Sequence, residues 1–175
     1  MTGSDISQHI DCLVIGAGIS GLMAARVLSK SGIDVLVLDK GRGVGGRMAT
    51  RRLDSHRFDH GAQAVFCTTD WLEATAREWQ LEQVVHPCEY PAISPTTGTK
   101  FGPVCGVKGM SSIAEHLASD LRVRTGYRVT SLSRVGLSWH ARGVDDGGVN
   151  ADSIILTAPV PQAIDLLYHG GLSLT

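Results

Sequence analysis

Asp11-Cys-Leu-Val-Ile-Gly16-Ala-Gly18-Ile-Ser-Gly21 is the stretch whose reading settles the fold class. Cys12 to Ile15 is a short apolar run with β-branched residues, and it breaks sharply at Gly16-Ala17-Gly18, the pattern of a buried strand entering a tight turn. From Ser20 to Ser31 the apolar residues Leu22, Ala25 and Leu28 recur on one side of a helix, Arg26 and Lys30 fall elsewhere, and Gly32 stands where a C-terminal cap belongs. Val35-Leu-Val-Leu38 reads as a second apolar strand. Strand, helix and strand within about thirty residues predict a βαβ unit with a right-handed crossover.

In that context Gly16-x-Gly18-x-x-Gly21 is a dinucleotide fingerprint, because it lies directly between a strand and a helix. Gly16 permits the turn, Gly18 lets backbone approach a pyrophosphate, and Gly21 lets the helix pack near the strand. The turn Gly16, Ala17, Gly18, Ile19, Ser20 and Gly21 then offers helix N-terminal N–H groups and a partial positive charge to phosphates. Asp39 ends the second strand at the offset where a carboxylate accepts hydrogen bonds from an adenosine ribose. An ordinary glycine turn does not account for Asp39, whereas NAD and FAD fit equally well.

Further along, Gly41 to Gly46 is too rich in glycine for a regular element, and Arg47 to Arg57 reads as an extended surface loop. Leu72, Ala76 and Trp79 mark a helix, after which Pro87, Pro91, Pro95 and Pro103 punctuate short strands and turns. Met110, Ile113, Ala114, Leu117 and Ala118 predict another helix, with Ser112 and Glu115 at capping-box spacing or the cap equally one turn earlier. Leu121 to Thr125, Arg128 to Leu132, Leu137 to Ala141 and Ser153 to Thr157 read as successive strands. Asp145-Asp-Gly-Gly148 is a candidate hairpin turn, and Pro161 opens a last short helix bearing Ile164 and Leu167.

Composition narrows the partners. A net charge of -1 gives no field to draw in nucleic acid or acidic lipid, and no apolar run is long enough to span a bilayer. A small-molecule ligand in a soluble, cytoplasmic protein is therefore expected. The 21 glycines against 5% aromatics suit tight backbone turns around a nucleotide. Cys12, Cys67, Cys88 and Cys105 show no CxxC pairing and no nearby His ligand set, so no metal site is expected and the thiols are read as reduced.

The second glycine cluster, Gly41-Arg42-Gly43-Val44-Gly45-Gly46-Arg47-Met48, favours FAD. It brings more backbone near an extended ligand, and Arg47 carries a fork of donors suited to phosphate oxygens. Asp11 to Gly21, Asp39-Lys40, Arg42 to Arg52 and Phe58-Asp-His-Gly-Ala-Gln63 together resemble the flavin amine oxidase superfamily, and more narrowly the bacterial renalase-like oxidoreductases. The likeness continues, more loosely, through Gly109-Met110 and Thr157-Ala-Pro159.

The resemblance implies an α/β, Rossmann-like FAD-binding fold of the glutathione-reductase type with the beginning of a second, substrate-binding domain. Residues 1–66 and 106–175 would form the FAD-binding domain and 67–105 a partial substrate domain. It also implies that Gly16, Gly18 and Gly21 hold the diphosphate, that Asp39 holds the adenosine ribose and that Arg47 lies along the diphosphate, with Ala17, Ile19, Ser20, Lys40, Gly45, Gly46 and Met48 also among the cofactor-binding residues. Gly61, Ala62 and Gln63 would run beside the flavin ring, Val129 would meet the adenine side through its backbone, and Ala158 with Pro159 would close a wall. Asp39 stands where many relatives carry Glu, which shortens the reach but keeps the acceptor, and Ala64-Val65-Phe66 replaces an aromatic expected directly after Gln63.

The implied reaction is hydride transfer from a small amine or a dihydronicotinamide-like donor to flavin, with O2 as acceptor. Relatives are much longer, so the chain is expected to be a fragment, a shortened product, or one completed by a partner chain supplying a C-terminal half. The competing readings are a non-catalytic dinucleotide-binding module and an NAD-dependent dehydrogenase. No catalytic residue is nominated. His60 reads first as a structural hydrogen-bonding group, Arg51 and Arg52 as solvated as readily as anion-binding, Trp71 and Trp79 as packing, and Cys67 as an unactivated thiol.

Overall fold

The apolar run before Gly16 forms strand β1 (His9–Ile15) of a computed structural model that describes residues 9–88, 101–144 and 147–172. Cys12 to Ile15 are all buried, as a strand covered on both faces must be. Helix α1 (Ile19–Lys30) follows, burying Gly21, Leu22 and Ala25. It stops in a Schellman motif: Gly32 takes φ +80°, its N–H donates to the Ser29 carbonyl at 3.0 Å, and the Ile33 N–H reaches the Leu28 carbonyl at 3.2 Å. Strand β2 (Val35–Leu38) then pairs parallel to β1, with Ile15 opposite Leu38. The expected βαβ unit is in place.

The chain packs as two units, Met1–Gly46 with Leu117–Thr175, and Arg47–His116. The first is built on a six-stranded sheet. After β1 and β2 its strands are β7 (Arg122–Arg124), β8 (Val129–Val135), β9 (Ser138–Gly143) and β10 (Gly148–Leu156), in the order β7-β2-β1-β10-β9-β8. The strands from β7 to β10 run parallel, while β9 and β8 add an antiparallel edge. Helix α4 (Val160–His169) starts with a proline in its first turn and lays Leu166 and Leu167 on a core of Ile10, Leu13, Leu38, Leu132 and Ala141. β10 begins five residues earlier than the apolar run at Ser153 suggests, because Val149 and Ala151 alternate inward among polar neighbours. The Asp145-Asp146 part of the predicted turn lies outside the described residues, but the strands flanking it pair antiparallel, with Arg142 opposite Gly148.

The second unit holds two hairpins, β3 (Thr50–Leu53) with β4 (His56–Asp59) and β5 (Val85–Pro87) with β6 (Val104–Gly106). It also holds helix α2 (Asp70–Leu81) and the start of α3 (Ser111–Ala118). The first hairpin corrects the reading of 47–57 as a loop. Asp54 takes φ +51° in a two-residue turn, yet Arg51, Arg52, His56 and Arg57 are all exposed, so no apolar face marks the strands. In α2, Thr69 caps the Leu72 N–H and Ala76 and Trp79 are buried. Trp71 is 61% exposed and does not pack as expected. The Ser112–Glu115 capping box does not form either: Asp59 Oδ1 accepts the Met110 N–H at 2.9 Å and Thr50 Oγ1 accepts the Ser111 N–H at 3.0 Å, so α3 is capped from the β3–β4 hairpin.

The cysteines require a further correction. Antiparallel pairing of β5 and β6 brings Cys88 and Cys105 to a Cα separation of 5.8 Å, and they are joined as a disulfide rather than reduced. Their spacing carries no motif, since only the pairing of two short strands makes them neighbours. Cys12 and Cys67 are free and buried, and burial, then the charge of Glu73, pushes the Cys67 thiol up from its ordinary value. Alkylation of the folded protein at neutral pH should therefore label none of the four cysteines. Reductant should open Cys88 and Cys105 to labelling, and denaturant should add Cys12 and Cys67, as read by peptide mass spectrometry. Rapid labelling of Cys67 in the native protein would contradict this assignment.

Candidate functional site

Gly16 reaches φ +111°, which a residue with a side chain rarely adopts, and its N–H donates to the Leu38 carbonyl at 2.8 Å. The chain thereby turns away from the sheet directly at the end of β1. Gly21, one helical turn on, is packed so closely that a Cβ there would lie 2.0 Å from the Gly16 carbonyl oxygen. At Gly18 the situation is opposite, with no heavy atom within 4 Å of the place a Cβ would occupy. The three glycines thus have three separate tasks: one for the turn, one for helix packing, and one leaving open space.

That space adjoins the start of α1. Gly18 is the N-cap in an extended conformation, no side chain caps the helix, and the first turn holds no acidic residue. The Leu22 N–H is bonded within the helix, to the Gly18 carbonyl at 3.0 Å, so Ile19, Ser20 and Gly21 present their N–H groups at the helix end. Backbone donors, the helix dipole and room beside Gly18 make a cradle suited to a diphosphate. The second glycine cluster runs alongside: Gly45 forms a parallel bridge with Gly18, its N–H donates to the Ala17 carbonyl at 2.8 Å, and a Cβ at Gly46 would lie 3.4 Å from the Gly18 Cα.

Asp39 lies at the end of β2, and its carboxylate is already engaged with backbone. The Ala17 N–H donates to Oδ2 at 2.6 Å and the Gly41 N–H donates to Oδ1 at 2.6 Å. It therefore ties the first glycine turn to the second, a role that the sequence spacing did not reveal. Each oxygen keeps a further lone pair for a ribose hydroxyl. Lys40 points elsewhere, its Nζ donating to Gln162 at 2.8 Å on the surface. Val129 is buried, with its side chain in the core, which leaves only its backbone for a ligand. Ala158 lies two residues beyond the end of β10, its nitrogen 3.6 Å from where a Gly16 Cβ would be. Gly16, Ala17, Gly18, Asp39, Gly45 and Ala158 are thus neighbours, while Lys40 is turned away.

Arg47, Met48, Gly61, Ala62 and Gln63 belong to the second unit. There Gly61 lies against Arg47, where a Cβ would meet the Arg47 carbonyl oxygen at 2.0 Å, and the Ala62 N–H donates to that oxygen at 2.9 Å. Met48 is buried and the Arg47 side chain is exposed. The neighbouring Asp59 and His60 part company: Asp59 caps α3, as above, and His60 is exposed. Arg52 pairs with Glu115 at 3.5 Å with both side chains largely in solvent, an interaction worth little. Among the described residues, no group of three or more His, Cys, Asp or Glu side chains is placed to hold a metal ion, and no helix is long and apolar enough to cross a membrane.

The glycine geometry separates folding from binding. Gly21→Ala should destabilise the protein by several kcal/mol, since overpacking against backbone cannot relax cheaply. Gly18→Val should melt within a few degrees of the parent but lose most of its dinucleotide affinity, because the side chain fills the open space. Thermal melting together with ligand titration checks both, and a Gly18→Val protein that binds like the parent would refute the cradle.

Residues 14–79 match the family described as NAD(P)-binding Rossmann-like domain, and residues 92–168 match the flavin containing amine oxidoreductase family. An L-amino acid dehydrogenase of Synechocystis sp. is 38% identical over 84 residues, covering 47% of this chain and 18% of that protein. Human flavin-containing amine oxidase B is 38% identical over 78 residues, covering 44% of this chain and 15% of its own. The crystal structure of a CLA-producing fatty acid isomerase from P. acnes superposes with a TM-score of 0.68 at 14% identity, over 95% of this chain and 62% of that one, a likeness of fold alone. The chain thus spans less than two thirds of the length of each of these proteins. Over residues 92–168 it is similar to the flavin-containing amine oxidoreductases, and over most of its length it shares the fold of the superposed structure.

Proposed function

We propose that this chain binds FAD and serves as the nucleotide-binding part of a flavin-dependent oxidoreductase. The observation that carries the reading is the bridge between Gly18 and Gly45, which sets two glycine segments side by side before the N-terminus of α1. A diphosphate in the space beside Gly18 receives the N–H groups of the first helical turn, and the free lone pairs of Asp39 accept from the adenosine ribose. By the family resemblance, Arg47 would supply a charged donor to a diphosphate, and Gly61, Ala62 and Gln63 would run beside a flavin ring. Residues 67–105 begin the substrate-binding part.

When bound, FAD supplies the hydride acceptor, taking the hydride from a small amine or a dihydronicotinamide-like donor, with O2 as the final acceptor in the manner of renalase-like enzymes. Protein groups supply binding, orientation and exclusion of water. A second reading, NAD binding, draws on the match of residues 14–79 to an NAD(P)-binding domain. It leaves the second glycine segment without a purpose.

The purified or reconstituted protein should show the visible absorption of flavin and release a molecule with the mass of FAD on denaturation. A protein that binds NAD and leaves FAD free would refute the proposal. Losing a hydrogen bond to a charged group costs about 1.5–3 kcal/mol, so Arg47→Ala should weaken FAD roughly ten- to a hundredfold in a fluorescence titration. Unchanged affinity would remove Arg47 from the site.

A further inference from the structure

Thr157 stands directly after β10 and is not one of the residues that the dinucleotide fingerprint marks. Its backbone continues the β1–β10 ladder, the N–H donating to the Ile15 carbonyl at 2.9 Å. Its hydroxyl lies 3.0 Å from the Ile15 carbonyl oxygen and 3.1 Å from the Gly16 carbonyl oxygen. A hydroxyl has one proton, so it donates to these two oxygens in turn or shares the proton between them. The same hydroxyl oxygen would lie 2.5 Å from a Cβ at Gly16 and 2.9 Å from one at Gly21, so it sits in the angle between the turn and the helix.

The other end of the Gly16–Ala17 peptide is held as well. Its N–H donates to Asp39 Oδ2 at 2.6 Å. One peptide plane, at the apex of the glycine turn, is thus gripped at its oxygen by Thr157 and at its nitrogen by Asp39, from opposite sides in sequence. This grip matters because a peptide next to a glycine turns over more readily than most, glycine having broad freedom in φ and ψ. Turned over, the carbonyl oxygen would face the Asp39 carboxylate and both bonds would be lost. Such a flip changes ψ at Gly16 and φ at Ala17, immediately before the Gly18 N-cap of α1.

We propose that Thr157 is a positioning residue for pyrophosphate binding, acting through the Gly16–Ala17 peptide rather than by touching the ligand. The proposal rests on the reading of the glycine turn as a dinucleotide cradle. It predicts a particular pattern of losses. Ligands that contain the diphosphate depend on Thr157, whereas a ligand that stops at the nucleoside does not.

The test compares the full chain with Thr157→Val, Thr157→Ala and Thr157→Ser for binding of FAD and ADP by calorimetry and of adenosine by saturation-transfer NMR, with thermal melting to verify folding. Removing the hydroxyl in Thr157→Val or Thr157→Ala should weaken both FAD and ADP about fivefold, the effect of one ordinary hydrogen bond. Adenosine binding should be unchanged, and Thr157→Ser should return to within about twofold of the parent. If Val packs badly and that variant unfolds, Thr157→Ala gives the same reading without the added bulk. Parental ADP affinity in the folded Val or Ala variant overturns the proposal, as does a Ser variant as weak as Ala, which would assign the effect to the methyl group. Equal loss for adenosine also overturns it. A parent that binds ADP but not FAD defeats the flavin reading and leaves the role of Thr157 standing, whereas a parent that binds neither defeats both.

Discussion

The absence of a side chain at Gly21 is the constraint on which the site depends. A methyl group there would lie 2.0 Å from the Gly16 carbonyl oxygen, so only glycine lets the start of α1 come this near to the end of β1. Were the helix a few ångströms farther out, its first N–H groups would no longer border the space beside Gly18. The open space at Gly18 and the crowding at Gly21 are therefore two sides of one arrangement, in which close packing behind the turn creates access in front of it.

Asp39 adds a second constraint of a different kind. In the dinucleotide fingerprint the acid at this position is a ribose ligand. Here it is first a bridge, spanning the N–H groups of Ala17 and Gly41 so that the two glycine segments are held by one carboxylate. The aspartate side chain is long enough to take both bonds at 2.6 Å. The shorter side chain seen in this sequence is consistent with a group that organises the backbone before it meets a ligand. Charge-assisted bonds to two backbone donors are also stronger than neutral ones, which suits a segment made largely of glycine.

The βαβ unit was legible because burial on both faces forces β1 and β2 to be continuous apolar runs, and because the glycine turn has few structural uses. Its finer parts were legible for the same reason, down to Gly32 as the terminus of α1. What escaped notice was whatever depends on contacts remote in sequence. The β3–β4 hairpin has no apolar face, so Arg51, Arg52 and Arg57 disguise its strands as a loop. Helix α3 takes its cap from Thr50 and Asp59, some fifty to sixty residues upstream, whereas local capping rules pointed to Ser112 or to a residue one turn earlier. Cys88 and Cys105 meet only because two three-residue strands pair. Of the site, the glycines and Asp39 could be picked out singly, but not the bonds that Asp39 accepts from Ala17 and Gly41, and Thr157 showed only as the end of an apolar strand and the start of the loosely matching Thr157-Ala-Pro159.

The parallel pairing of β1 with β10 has a consequence for the birth of the protein. Ile15 and Thr157 are 142 residues apart, so the central pair of the sheet is also among its most distant in sequence. On the ribosome, β1, α1 and β2 are available early, but one edge of β1 faces no partner until residues 148–156 have been made. That edge is apolar and its backbone groups are unsatisfied, the qualities that recruit foreign strands. The β8, β9 and β10 strands, by contrast, are consecutive and antiparallel, and can form together as a local meander. The nascent chain thus carries an incomplete sheet until residue 156 has been made, and over that interval the open edge of β1 is a template for any strand that reaches it.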